Sequence, residues 1–273
     1  ELIDDFPDHP FQVREDEDMF QLVESIKERG VITPATVRQK EDGRYELISG
    51  HRRKRACELA GFETLRCEVV DLDRDEATIL MVESNFQRSQ ILPSEKAHAY
   101  KMRLDAMKRQ AGRPSKENVS QVGTQKRSDQ LLAEQVGQSR NQIQRYIRLT
   151  ELIPELMDMV DEKKIALNPA YELSFLKKEE QVDLLDAMDS EQATPSLSQA
   201  QRLKKYSQEG HLTLDMMRVI MGEEKKSDLD RVTFTSDTLR KYFPKSYTPQ
   251  RMQETIIKLL EAWQKKRQRD QER

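Results

Sequence analysis

Apolar residues recur along this chain in two rhythms, and the rhythm changes near residue 90. In the first stretch Met19, Phe20, Leu22, Val23 and Ile26 follow helical spacing, and Gly30 stops that helix. Val31-Ile32 then turns through Pro34 into a strand reaching Val37. Tyr45-Glu46-Leu47-Ile48-Ser49 pairs with it across Glu41-Asp42-Gly43-Arg44, a good hairpin turn. A helix opens after Gly50 and ends near Gly61. Leu65 to Val70 is a further strand, and Asp75 to Phe86 a helix with Ala77, Leu80, Met81 and Ser84 on one face. Residues 1–90 therefore read as a small α+β domain.

From Pro93 the pattern is helical. Pro93-Ser94-Glu95 starts a helix that runs to about Gln110. Residues 112–127 are polar and rich in Gly, Ser, Asn and Gln, the composition of a mobile loop. They contain Gly112-Arg113-Pro114, the core of minor-groove hooks, in a stretch that reads more simply as solvated. Leu131, Leu132, Ala133 and Val136 mark a helix ending at Gly137, and Ile143, Ile147 and Leu149 mark a second one after Gly137-Gln138-Ser139. Helix, glycine turn and helix at this length form a helix-turn-helix over 128–149. Short helices over 154–162, 178–188 and 196–206 would buttress it, completing an all-α domain over 91–206. Residues 207–230 read as one marginal helix and a linker.

The last segment, 231–273, opens with a strand candidate, Val232-Thr233-Phe234, and a single helical turn at Thr238 to Tyr242. Thr248-Pro249 then starts a long helix with Met252, Ile256, Leu259 and Trp263 in one stripe, flanked by Ile257 and Leu260. So short a module cannot easily bury that stripe by itself. A second copy of the chain is the expected cover, making Met252, Ile256, Leu259, Leu260 and Trp263 the candidate dimer contacts. The basic tail Lys265-Lys266-Arg267-Gln268-Arg269 could touch phosphates without sequence preference.

Composition narrows the reading. Of 273 residues 36% are hydrophobic and 6% aromatic, low for one large core and suited to small helical domains joined by polar segments. The net charge is only −3, yet 35% of residues are charged, so basic residues can be segregated locally. No apolar run reaches membrane-spanning length. Cys57 and Cys67 form no CxxC, and the four histidines show no metal spacing, which predicts a reducing, cytoplasmic setting. The first residue is Glu1, which predicts a trimmed chain or a fragment whose missing N-terminus could have carried a leader.

Two constellations carry chemistry. Gly50-His51-Arg52-Arg53-Lys54-Arg55-Ala56 breaks a strand into a basic helix start. Glycine lets backbone approach a phosphate, helix N–H groups point at it, and arginines neutralise it. The spacing is neither the Walker loop nor the dinucleotide fingerprint. The second constellation is the second helix of the helix-turn-helix. Ser139 is a good N-cap, and the exposed face carries Arg140, Asn141, Gln142, Gln144, Arg145 and Arg148 without an acid. Arginine reads guanine and Asn or Gln reads adenine in the major groove. Double-stranded DNA is the expected partner.

In their order these motifs resemble the ParB/RepB partition proteins. His9-Pro10-Phe11-Gln12-Val13-Arg14 resembles that family's Asn-Pro-x-Gln-Pro-Arg, and Gly50 to Ala56 its Gly-Glu-Arg-Arg-x-Arg-Ala. Asn85-Phe86-Gln87-Arg88 with Leu92-Pro93-Ser94-Glu95 resembles its Glu-Asn-x-Gln-Arg…Leu-x-Pro-x-Glu. The match spans residues 1–159; the C-terminal part is much less similar. The resemblance implies a CTP-binding N-terminal domain, a dimer closed through its C-terminus, loading at a palindromic centromere-like site, and a sliding clamp. It also implies a ParA-type ATPase partner and a nucleoid-associated protein. By position, Gln12 and Arg14 would lie near base and phosphates, with Gln12 the one candidate for a catalytic role. Gly50, His51, Arg52, Arg53 and Ala56 would form the phosphate site. Asn85 would help hold Mg²⁺, and Arg88 would couple the site to the next helix.

Two departures from the family pattern stand out. The acid after the glycine is His51, and the acid before Asn85 is Ser84, with Glu83 one position earlier. Divalent metals prefer carboxylate oxygens, so Glu83 and Asn85 are the remaining candidates for Mg²⁺. Slow CTP hydrolysis at most is expected. The diverged motifs and polar insert point to a plasmid or mobile element. A competing reading is a helix-turn-helix repressor whose N-terminal domain no longer binds nucleotide. A sulfiredoxin-like or serine-kinase-like enzyme is disfavoured, because the catalytic cysteine's place holds Gly50 and Cys57 lies beyond the motif.

Overall fold

The computed structural model describes residues 2–87, 90–112, 127–223, 238–239, 241–244 and 246–271. They divide into two compact units, Glu1–Glu223 and Glu224–Arg273. Arg88, most of the polar loop, the Gly112-Arg113-Pro114 hook beyond Gly112, the linker past Glu223 and the Val232-Thr233-Phe234 strand candidate lie outside the described residues.

The first unit opens with four strands, β1 (Ile3–Asp5), β2 (Ala35–Gln39), β3 (Tyr45–Ser49) and β4 (Cys67–Val70). Their order is β1-β3-β2-β4. The β2–β3 hairpin is antiparallel, while β1 on β3 and β4 on β2 are parallel. A register shift between Thr36 and Val37 bends β2 where it faces the end of β3. Three helices accompany the sheet: α1 (Glu17–Arg29), α2 (His51–Leu59) and α3 (Arg74–Asn85). Helix α1 begins where Asp16 accepts the Met19 N–H at 3.0 Å. It ends at Gly30, whose φ of 70° is the conformation glycine adopts most cheaply. Met19, Val23 and Ile26 bury one α1 face against Ala56 and Cys57 of α2. Helix α3 starts with a reciprocal capping box between Asp73 and Glu76. Its Ala77, Met81 and Val82 pack with Phe6, Phe11 and Ile48.

The helical part begins with α4 (Pro93–Gly112). Its Ala97, Ala99, Tyr100, Leu104 and Ala106 are all buried, so this helix is enclosed on several sides. Ala99 belongs to the cluster under α3, whereas Tyr100 and Leu104 join Leu132, Ala133 and Ile143 of α5 (Ser128–Val136) and α6 (Arg140–Leu149). Five further helices follow: α7 (Pro154–Asp161), α8 (Leu167–Leu173), α9 (Lys178–Ser190), α10 (Leu197–Gln208) and α11 (Leu214–Met221). They enclose the largest apolar cluster, centred on Leu156, Leu173, Leu184 and Leu203.

Two elements differ from expectation. Strand β1 and helix α8 were not expected from the sequence. The marginal helix read within 207–230 is α11, whose Met217, Ile220 and Met221 are buried in the main helical cluster. Their spacing puts all three on one helix face, and that burial outweighs the charged flanks. In the second unit, α12 (Pro249–Gln271) is the long helix expected after Thr248.

Candidate nucleotide motif and DNA-reading helix

Gly50 occupies the N-cap of α2 with φ 107° and ψ 20°. A Cβ there would stand 2.8 Å from the Ala35 Cβ and 3.1 Å from the Ala35 Cα, so the chain passes β2 too closely for a side chain. No side chain caps the helix start and no acid lies in its first turn. The N-terminal end of α2 therefore keeps the positive end of its dipole uncompensated from within the helix.

The cations that follow are held by partners elsewhere. Arg53 Nη1 donates to the Thr33 and Pro34 carbonyls at 2.6 and 2.5 Å, fastening the entry to β2. Its guanidinium is half-buried, and burial pushes its pKa down. Arg52 donates to Asp16 at 3.1 Å, Lys54 to Asp5 at 2.7 Å, and Arg55 to Glu15 at 2.5 Å. Ala56 is fully buried against α1, so its small side chain serves helix packing. His51 is also turned inward: its ring lies 3.7 Å from that of His9, tilted 33°. The two histidines stand where the family pattern has Asn and an acid, and they pack on each other.

The other motif residues converge on the start of α4. The buried Glu95 carboxylate accepts the Gln12 N–H and the Leu92 N–H, each at 2.9 Å, tying the first motif to the third. The Gln12 and Arg14 side chains face solvent. Asn85 is buried and its Nδ2 donates to the Met81 carbonyl at 2.8 Å. Ser84 Oγ donates to the same carbonyl at 2.9 Å. Glu83 is engaged by Arg103 of α4. Among the described residues no group of three His, Cys, Asp or Glu could hold a metal ion.

In the helix-turn-helix, Gly137 closes α5 with φ 65°, and Ser139 caps α6 by accepting the Gln142 N–H at 3.2 Å. Ile143 and Leu149 are buried, which turns Asn141, Gln144 and Arg145 outward. Arg140 is exposed and donates to Asp129 at 2.5 Å. Gln142 is half-buried. Arg145 reaches Asn168 at 3.2 Å and lies 5.6 Å from the Tyr171 ring. Arg148 differs from expectation. Its Nη2 donates to the Ser174 carbonyl at 2.9 Å and its guanidinium lies 4.3 Å over Phe175. It fastens α6 to the end of α8, because at its position the helix surface has turned towards the supporting layer.

Within the second unit, Met252 of α12 is buried and Ile256 half-buried, while Leu259, Leu260 and Trp263 are 63%, 57% and 59% exposed. The apolar stripe of this helix is thus largely open in the single chain. The side chains of Lys265, Lys266, Gln268 and Arg269 lie outside the described residues.

Sequence reasoning missed Tyr100 and Arg103, which join the two candidate sites. Phe86 lies on Tyr100 at 5.1 Å, and Tyr100 meets Tyr146 of α6 at 5.8 Å. An arginine three residues from a tyrosine, both facing inward on one helix, was the available signal.

Comparison with known proteins agrees with these elements. The ParB N-terminal domain matches residues 1–86, and the ParB HTH domain residues 119–195. The chromosome-partitioning protein Spo0J of Thermus thermophilus is 30% identical over 176 residues, 64% of this chain and 58% of that protein. A nucleoid occlusion protein of Listeria innocua is 31% identical over 181 residues, 66% of this chain and 57% of its own length. The chain thus spans less than two thirds of these relatives. The C-terminally truncated chromosome-partitioning protein ParB from Caulobacter crescentus, complexed with CTP-gamma-S, is 25% identical. Its match covers 69% of this chain and 94% of that chain at a TM-score of 0.30, too loose a superposition to bear on arrangement.

Proposed function

Because the chain belongs to the ParB family over its N-terminal and helix-turn-helix domains, we propose that it is a sequence-specific DNA-binding protein of a partition system. The observation that carries this reading is α6 itself. Its outer face offers Asn141, Gln144 and Arg145, it contains no acid, and Ser139 caps its start. These groups read base edges, while Arg148 and Ile143 keep the helix on its support. Two copies joined through the open α12 stripe would match a palindromic, centromere-like site.

CTP is the proposed effector. The α2 start, which no side chain caps, would meet a phosphate's charge together with Arg52. Bound there, the triphosphate would set the state of a sliding clamp. The described residues do not by themselves assemble a metal cage, and Glu83 is engaged by Arg103. A ParA-type ATPase and association with the nucleoid complete the proposal. Among the described residues no helix is long and apolar enough to cross a membrane.

The second reading, a helix-turn-helix repressor with a nucleotide-inactive N-terminal domain, draws on the acids that already pair Arg52, Lys54 and Arg55. Calorimetric titration with CTP, ATP, GTP and UTP, with Mg²⁺ present, separates the two. Arg52→Ala is the informative variant, because Arg53→Ala would also release the Thr33 and Pro34 carbonyls. CTP-selective binding that weakens in Arg52→Ala supports the clamp. A flat titration with every nucleotide, DNA present or absent, leaves the repressor.

A further inference from the structure

A chain of side-chain contacts joins the nucleotide motif to the recognition helix. Phe11, beside Gln12, meets Phe86 edge-on with centroids 6.2 Å apart. Phe86 closes α3 directly after Asn85 and lies stacked on Tyr100 of α4, at 5.1 Å and 20°. Tyr100 in turn touches Tyr146, at 5.8 Å, on the inner side of α6. A polar link runs beside the rings. The Arg103 side chain, 3% exposed, pairs with Glu83 in the last turn of α3. Its Nη2 also donates to Gln135 Oε1 of α5 at 2.8 Å. Tyr100 and Arg103 stand three residues apart, so one face of α4 carries both links. On the far side, Ile48, two residues before Gly50, packs with Met81 and Val82 of α3.

These contacts do not yield gradually. Interiors packed at crystal-like density choose between discrete arrangements and do not deform continuously. A buried guanidinium that loses a partner is left with unpaid desolvation. A shift at the end of α3 must therefore either carry α5 and α6 with it or break Arg103 from Glu83 or Gln135. We propose that Tyr100 and Arg103 are positioning residues that transmit occupancy at the Gly50–Asn85 motif to the helix-turn-helix, setting the attitude of α6. This rests on the nucleotide reading above, and it names the residues of this chain that carry the coupling.

The test uses the intact chain with saturating CTP and Mg²⁺. Amide deuterium exchange over 128–149 is measured in the unmodified protein, Tyr100→Leu, Arg103→Lys and Tyr100→Phe, with CTP affinity titrated in the same samples. In the unmodified protein and Tyr100→Phe, CTP changes exchange in α5 and α6 by about fivefold or more, the low end of typical coupling between sites. In Tyr100→Leu and Arg103→Lys the response vanishes while CTP still binds. A purely structural role would alter basal exchange and leave the CTP response intact. Should Tyr100→Leu fail to fold, Arg103→Lys, which keeps the charge, decides alone. A full response in the folded variants overturns the inference, as does CTP binding without any response in the unmodified protein. A flat CTP titration overturns the nucleotide reading and this inference with it, and the titration itself distinguishes the two failures.

Discussion

Replacing Gly50 by alanine tests the tightest point of the N-terminal domain. The added methyl meets the Ala35 Cβ at 2.8 Å and Arg53 Nη2 at 3.2 Å, in a backbone at φ 107°. Two costs add. Holding a side chain at left-handed φ costs roughly 1–2 kcal/mol. Overpacking a filled site costs about 1–3 kcal/mol more. Neither relaxes cheaply, because Ala35 is fully buried and Arg53 pins the entry to its strand through two carbonyls. The sum, about 2–5 kcal/mol, is a large share of the 5–15 kcal/mol typical of a folded domain. Urea denaturation followed by circular dichroism measures it, and exchange at β2 and β3 amides localises it. The expected outcome is a lowered midpoint with the greatest loss of protection at Ala35 to Val37. A Gly50→Ala variant within about 0.5 kcal/mol of the parent, the range of ordinary surface substitutions, would show that β2 yields freely and that the close approach constrains nothing.

Three other outcomes follow from the contacts described. On a duplex selected by the protein from a random pool, Asn141→Ala and Gln144→Ala each cost about 1–3 kcal/mol of discrimination in fluorescence anisotropy. Arg148→Ala lowers thermal stability first and leaves base preference unchanged. The reverse pattern would mean the recognition face is misassigned. Asp4 is held well below its ordinary 3.8 by the hydrogen bond from Arg44, and then by Lys40. A depressed carboxyl stabilises the fold above its unfolded value, and that stability is lost as pH falls through the folded value. Exchange protection of β1 should therefore persist at pH 5 and fade only below about 4. Asp4→Asn, which removes the charge, should make β1 protection independent of acid over that range. Leu259→Glu should convert a dimer to a monomer in sedimentation velocity, and an unchanged sedimentation coefficient would exclude the α12 stripe as the interface.

What the sequence revealed and what it hid have physical reasons. The start of α2 was legible because glycine followed by arginines after a strand is a local signal. The helix-turn-helix was legible because Gly137 and Ser139 each do one job within a few residues. Strand β1 was not legible: Ile3–Asp5 is three residues, two of them acids, and it exists by pairing with Tyr45–Leu47 of β3, distant along the chain. Helix α8 contains Pro169, which reads as a breaker yet is harmless in a first turn, where its missing N–H has no partner to lose. The candidate site divides in the same way. Residue types suggested a base-reading alphabet, but only the packing shows that Arg148 turns back to Ser174. Arg103 stayed hidden because its partners lie 20 and 32 residues away along the chain. The inward turn of His51 onto His9 could not be read from two histidines in separate motifs.

The acids that hold the α2 cations have a consequence for how a polyanion would arrive. Asp5, Glu15 and Asp16 belong to one segment, and that segment also carries Gln12 and Arg14. A triphosphate reaching α2 would not land on bare charge; it would exchange for the chain's own carboxylates, as on an ion-exchange resin already loaded with counterions. The net gain per arginine is then small, and added salt weakens incoming and resident anions together. On that reading a ligand carrying one phosphate would displace fewer of these carboxylates than a triphosphate would. Displacement of these carboxylates would free three acidic side chains from α2 while Phe6 and Phe11, buried under α3, keep the segment itself in place.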